Sequence, residues 1–168
     1  MVKAYVTNLG LYNEGILCGE WVTFPITEEE QEALFDRIKI DEEHEEIFIT
    51  DYETDIGIKI GEYTSIERLN EIAEQLDDLD DYKFEIVSAL VGNGYELEDA
   101  INKVDDCRIY YECYSMTDVA EQYADEVGLL DSIPENLRYY FDFEAFGRDM
   151  GIEGEFIFTD KGNCVEVL

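Results

Sequence analysis

Residues 64–78 read Thr-Ser-Ile-Glu-Arg-Leu-Asn-Glu-Ile-Ala-Glu-Gln-Leu-Asp-Asp, and two patterns run through them at once. Ile66, Leu69, Ile72, Ala73 and Leu76 recur at helical spacing, which predicts a helix to about Leu79 with one buried face. Thr64-Ser-Ile-Glu67 opens it as a capping box, a hydroxyl and a carboxylate three residues later satisfying each other's backbone donors. Opposite the apolar face, Glu67, Glu71, Glu74 and Asp78 stand at i, i+4, i+7 and i+11 and form one acidic row. Like charges at i, i+4 cost about 0.2–0.5 kcal/mol per pair, so a helix tuned only for stability would place Lys between them.

The same grammar extends outward. Upstream, residues 2–9 alternate and predict a strand, LYNEG makes a turn-rich connection, and residues 16–24 (ILCGEWVTF) predict the second strand of a hairpin ended by Pro25. Thr27-Glu-Glu-Glu30 is a second capping box, opening a helix to about Ile38 with Leu34, Phe35 and Ile38 inward. Its acids Glu28, Glu32 and Asp36 lie at i, i+4 and i+8. Residues 45–53 predict a third strand. Downstream, Asp77 to Asp81 breaks the helix, and residues 82–91 suit a buried helix stopped at Gly92 or Gly94. Leu97, Ala100, Ile101 and Val104 mark another helix over 96–104, and residues 107–114 return to strand. Ser115 caps a helix over 116–127, with Met116, Val119, Ala120, Tyr123 and Val127 inward and Gly128 at its end. Asp118, Glu121 and Asp125 give it a third acidic row at i, i+3 and i+7. Pro134 suits a helix first turn, residues 136–149 are dense in aromatics, and 155–159 and 163–168 predict two closing strands. The fold class is α+β in three small units: 1–61 of hairpin sheet plus helix, 62–105 helical, and 106–168 mixed.

Composition narrows the function. The 168 residues hold 43 Asp+Glu against 11 Lys+Arg, a formal net charge of −32, which excludes ordinary nucleic-acid binding and docking on anionic membranes. Hydrophobic residues make up 46% of the chain, so it folds despite its self-repulsion. The acids are spread along the chain between core positions, unlike an acidic tail. No apolar run of signal-peptide or membrane-spanning type is present, and a cytoplasmic protein is expected. The cysteines Cys18, Cys107, Cys113 and Cys164 form no CxxC pair. Cys107 and Cys113 fall on one expected strand, roughly 20 Å apart, too far to bridge, so four reduced thiols are expected. His44, inside Asp41-Glu-Glu-His-Glu-Glu46, is the only histidine, which argues against a His-dependent zinc or acid/base centre. No hydrolase, zincin or phosphate-loop signature appears, and neither Asp77 nor Asp41 starts an EF-hand, since Tyr82 and Glu46 stand where Gly is required. An enzyme is not expected, nor any metal or cofactor.

Acidic rows on helices can serve a protein built to grip DNA. Carboxylates at i, i+4 stand about 6 Å apart along a helix, similar to successive phosphates on one strand, and they accept the same bidentate Arg fork. A compact monomer of this mass would carry about one net charge per 270 Å², against roughly one per 100 Å² on duplex DNA. A DNA mimic of this composition must therefore be elongated, or concentrate its acids on one side. The competing reading is an acidic halophile-type or cation-binding protein without a DNA-enzyme target.

The chain resembles the ArdA antirestriction proteins carried by conjugative plasmids and transposons. The resemblance runs through Tyr5-Val-Thr-Asn-Leu-Gly-Leu-Tyr-Asn-Glu-Gly15, Trp21-Val-Thr-Phe-Pro25, Asp51-Tyr-Glu53, Glu62-Tyr-Thr-Ser-Ile66 and Pro134-Glu-Asn-Leu-Arg-Tyr-Tyr-Phe-Asp-Phe-Glu-Ala-Phe-Gly-Arg-Asp149. It implies an elongated, curved protein of three domains in a row, dimerising through the C-terminal one and mimicking bent B-form DNA. The implied target is the type I restriction–modification enzyme, whose specificity and modification subunits form the occupied DNA-binding core. The implied outcome is protection of incoming DNA from cleavage, often with inhibited methylation. Tyr139, Tyr140, Phe141, Phe143 and Phe146 exceed what one small unit needs inside, and they are the expected dimer contact. Glu28, Glu32, Asp36, Glu67, Glu71, Glu74, Asp78, Asp118, Glu121 and Asp125 are the expected partner-binding rows.

Overall fold

Val2, Ala4 and Val6 have no exposed surface, and their alternation makes the first strand, β1 (Val2–Asn8), the centre of a sheet. In the computed structural model, which describes all 168 residues, that sheet has the order β2-β1-β3, with β2 (Gly19–Phe24) and β3 (Ile47–Thr54) both antiparallel to β1. The β1–β2 hairpin is thus as the sequence predicts. The connection between them holds a short helix, α1 (Leu9–Asn13), where a turn was expected. Its cap is Asn8, which is fully buried: the side-chain oxygen accepts from the Leu11 N–H (3.0 Å), and its nitrogen donates to the Ile38 and Lys39 carbonyls (3.1 and 2.9 Å). One amide therefore starts α1 and ties down the end of α2 (Glu28–Arg37). The α2 capping box forms as predicted between Thr27 and Glu30, and Leu34 and Ile38 are buried while Phe35 is half-buried.

In α3 (Ile66–Asp77) all five apolar positions, Ile66, Leu69, Ile72, Ala73 and Leu76, are buried. Both Thr64 and Ser65 offer a hydroxyl, and the cap is Ser65, accepting from the Arg68 N–H (3.2 Å), one residue later than the expected Thr64 box. The helix packs against β1 and β2 and completes the first core.

Two compact units emerge, Met1–Phe84 and Glu85–Leu168. The helix α3 lies in the first unit, as part of the first sheet's core. The helix α4 (Asp81–Gly92) buries Ile86, Val87, Leu90 and Val91, and α5 (Leu97–Lys103) runs into a 3-10 turn at Val104–Asp106. In the second unit a sheet of order β4-β6-β5 is built from β4 (Cys107–Tyr110), β5 (Glu155–Phe158) and β6 (Cys164–Val167), all antiparallel. On it pack α6 (Met116–Glu126) and α8 (Phe143–Glu153), with a single turn, α7 (Glu135–Arg138), between them. Pro134 sits at the cap of α7, just outside the first turn. Gly147 lets α8 approach α6 closely, since a Cβ there would fall 2.3 Å from the Met116 carbonyl oxygen.

β4 ends four residues before the expected Tyr114, because Glu112 adopts a left-handed φ of 55° that no strand continues through. Cys113 is therefore not on the strand of Cys107. It joins Tyr110, Val119 and Cys164 in one buried cluster. All four cysteines are free, and burial pushes the Cys164 thiol up to about 12. Val127, expected inward, is the exposed C-cap of α6. No helix is long and apolar enough to cross a membrane, and no group of three or more His, Cys, Asp or Glu is placed to hold a metal ion.

Candidate partner-binding surface

The acidic rows of α2 and α3 were read separately from the sequence, and the first unit brings them together. Glu28 and Glu32 from α2 and Glu67, Glu71 and Glu74 from α3 line one groove of about 530 Å³. Ile26, Gln31, Phe35 and Asn70 complete its lining. Asn70 explains why the two helices stand at this distance. Its Nδ2 donates to the Ile26 carbonyl (2.9 Å) and its Oδ1 accepts from the Ile26 N–H (2.8 Å), so α3 grips the segment entering α2 as a strand would. Nothing in the local pattern singles out Asn70; its partner is 44 residues away.

The five groove carboxylates are exposed to solvent. Glu71 shares its charge with Arg68 at 3.0 Å, an exposed pair. Asp36 and Asp78 are exposed too, but lie outside the groove lining. Elsewhere in the unit Arg37 is spent on Glu20 through a two-pronged bond (2.8 and 3.0 Å), and Lys3 on Glu53 at 3.3 Å.

The third row divides. Glu121 and Asp125 face solvent. Asp118 turns back to the chain: its Oδ2 accepts from the Ser115 hydroxyl and from the Tyr114 and Ser115 N–H groups, each at 2.9 Å. The Ser115 hydroxyl, then the Tyr114 amide, hold this carboxyl below the usual carboxylate range. Glu30 is lowered in the same way by the amide and hydroxyl of Thr27. Both acids are helix-cap partners.

The aromatic segment also divides. Phe141 stacks edge-on with Phe143 (centroids 4.8 Å) and Phe146 (5.6 Å), and Phe146 reaches Tyr123 of α6 at 6.2 Å, so these rings serve the α6–α8 junction. Tyr139 and Tyr140 pack on each other at 5.8 Å and are otherwise in solvent, 91% and 79% exposed, beside the half-exposed Leu137.

The class defined by these features is an acidic α+β protein whose helices present carboxylates to solvent. A family model described as Antirestriction protein (ArdA) matches residues 4–165, and the chain belongs to the ArdA antirestriction family. A search of curated proteins finds no match. Membership makes this an antirestriction protein that acts on restriction–modification enzymes.

Proposed function

We propose that this chain mimics bent B-form DNA and occupies the DNA-binding groove formed by the specificity and modification subunits of a type I restriction–modification enzyme. Incoming mobile DNA, such as a conjugative element, then escapes cleavage in the cytoplasm. The observation that carries this reading is the groove between α2 and α3, where two carboxylate rows face each other. Within each row the i, i+4 spacing is about 6 Å, so the groove offers two lines of anions as the two strands of a duplex do. Ile26 and Phe35 in its lining suit the flat, weakly hydrated guanidinium plane of an arginine, while the glutamates beside them accept the N–H fork. The protein does no chemistry in this scheme; it competes for cationic side chains. Glu121 and Asp125 are acids displayed by the second unit, and a second copy of the chain covers the segment holding Tyr139, Tyr140, Phe141, Phe143 and Phe146.

The test is competition on a purified type I methyltransferase core holding a labelled duplex. The wild-type chain should displace the DNA, and less effectively as salt rises. Glu28, Glu32, Glu67, Glu71 and Glu74 replaced together by Gln should weaken displacement at least tenfold and flatten that salt dependence, with an unchanged circular-dichroism spectrum. Equal displacement by the five-fold variant would remove the groove from the contact.

A further inference from the structure

His44 is the only histidine, yet it stands between two carboxylates. Its Nδ1 lies 3.1 Å from Asp41 Oδ1, in the loop between α2 and β3, and its Nε2 lies 3.2 Å from Glu14 Oε1, at the C-cap of α1. The side chain is only 16% exposed. The ring lies directly over Gly10 of α1, where a Cβ would fall 2.4 Å from its Cδ2. A neutral imidazole has one N–H, so it can satisfy only one of these carboxylates and must turn a lone pair on the other; the imidazolium donates to both.

We propose that His44 is a proton-operated latch, fastening the acidic loop 41–46 to α1 when charged and releasing it when neutral. The loop has few other fastenings to α1. Leu9 N–H donates to the Glu46 carbonyl (2.9 Å), and inside the loop Asp41 and His44 exchange long backbone bonds (3.3 and 3.2 Å). Asp41 Oδ1 also accepts from the Glu43 and His44 N–H groups, both at 2.9 Å. These amides hold the Asp41 carboxyl below its ordinary range, so it stays ionised wherever His44 titrates. The hydrogen bond to Glu14, opposed by burial and joined by Asp41, raises the His44 imidazole above its usual value. A raised group contributes fully below its unfolded value of about 6.5, and the contribution fades as pH rises through the folded one. The loop carrying Glu42, Glu43, Glu45 and Glu46 is therefore held at the acid side of neutrality and slackens on the alkaline side.

A single histidine gives a single Cε1–H NMR signal, which makes the test clean. Over about pH 5.5 to 8.5, that signal should titrate above 6.5 in the wild-type chain and lower in Glu14→Gln. Amide exchange at Leu9 and His44, divided by the rate in His44→Gln at the same pH, should be about threefold slower on the acid side and should converge to unity across the titration. A midpoint at or below 6.5, a midpoint unmoved in Glu14→Gln, or a ratio that ignores the titration would overturn the latch.

Discussion

Glu85 is the acid this surface does not display. Its side chain is 12% exposed, accepts from Asn163 Nδ2 at 2.7 Å and Thr159 Oγ1 at 3.4 Å, and lies 3.8 Å from Lys161 Nζ. It thereby clamps the β5–β6 turn to α4. Glu85→Ala strands the buried Asn163 amide and should lower unfolding stability by about 1–3 kcal/mol in a urea titration. Glu121→Gln, in solvent on α6, should stay within about 0.5 kcal/mol of wild type. Asp118 lies between these cases. Its carboxyl is lowered by the cap it serves, so that contribution is present above the unfolded value of about 3.8 and is lost as pH falls through the folded one. Ser115→Ala should cost about 1 kcal/mol near neutral pH. Unfolding curves should show this deficit shrinking in acid, where Asp118 is protonated in both proteins.

Among the elements, Asn70 and Gly147 fix geometry through contacts inside the chain. Asn70→Ala removes both bonds to Ile26 and should cost about 1–3 kcal/mol. It should also weaken displacement of DNA although every groove carboxylate remains, and a variant that loses stability but displaces normally would detach the groove's shape from its activity. Gly147→Ala drives a methyl into the Met116 carbonyl, so α6 and α8 must part, at a cost of about 1–3 kcal/mol read from the melting temperature. These two residues also show where sequence legibility stops. The buried face of α3 was readable because helical periodicity is local, and the Thr27 and Ser115 caps were readable because a hydroxyl serves N–H groups within three residues, whereas the adjacent hydroxyls of Thr64 and Ser65 left the α3 cap one residue out. The convergence of α2 and α3 was not, because it depends on one amide reaching 44 residues back. Strand β4 was overextended because the aromatics Tyr111 and Tyr114 continue past Tyr110, while the positive φ at Glu112 leaves no mark in composition. Of the acidic rows the phase was legible, but not which members are drawn into caps: a capping box and a displayed stripe share the same spacing at Asp118.

For the molecule as a whole, a charge of −32 on 168 residues sets the behaviour in solution. The chain should keep its circular-dichroism spectrum at about 10 mM salt, since its cores are ordinary apolar ones; loss of structure there would favour the salt-requiring alternative. Sedimentation equilibrium should return twice the 19.5 kDa chain mass, and Tyr139→Ser with Tyr140→Ser should return a single mass. The carboxylates at the groove face solvent, whereas those at caps and turns are hydrogen-bonded within the chain. Point substitutions can therefore redraw the outward face acid by acid while the interior stays untouched, and an inhibitor built this way can follow a changing adversary without ever having to refold.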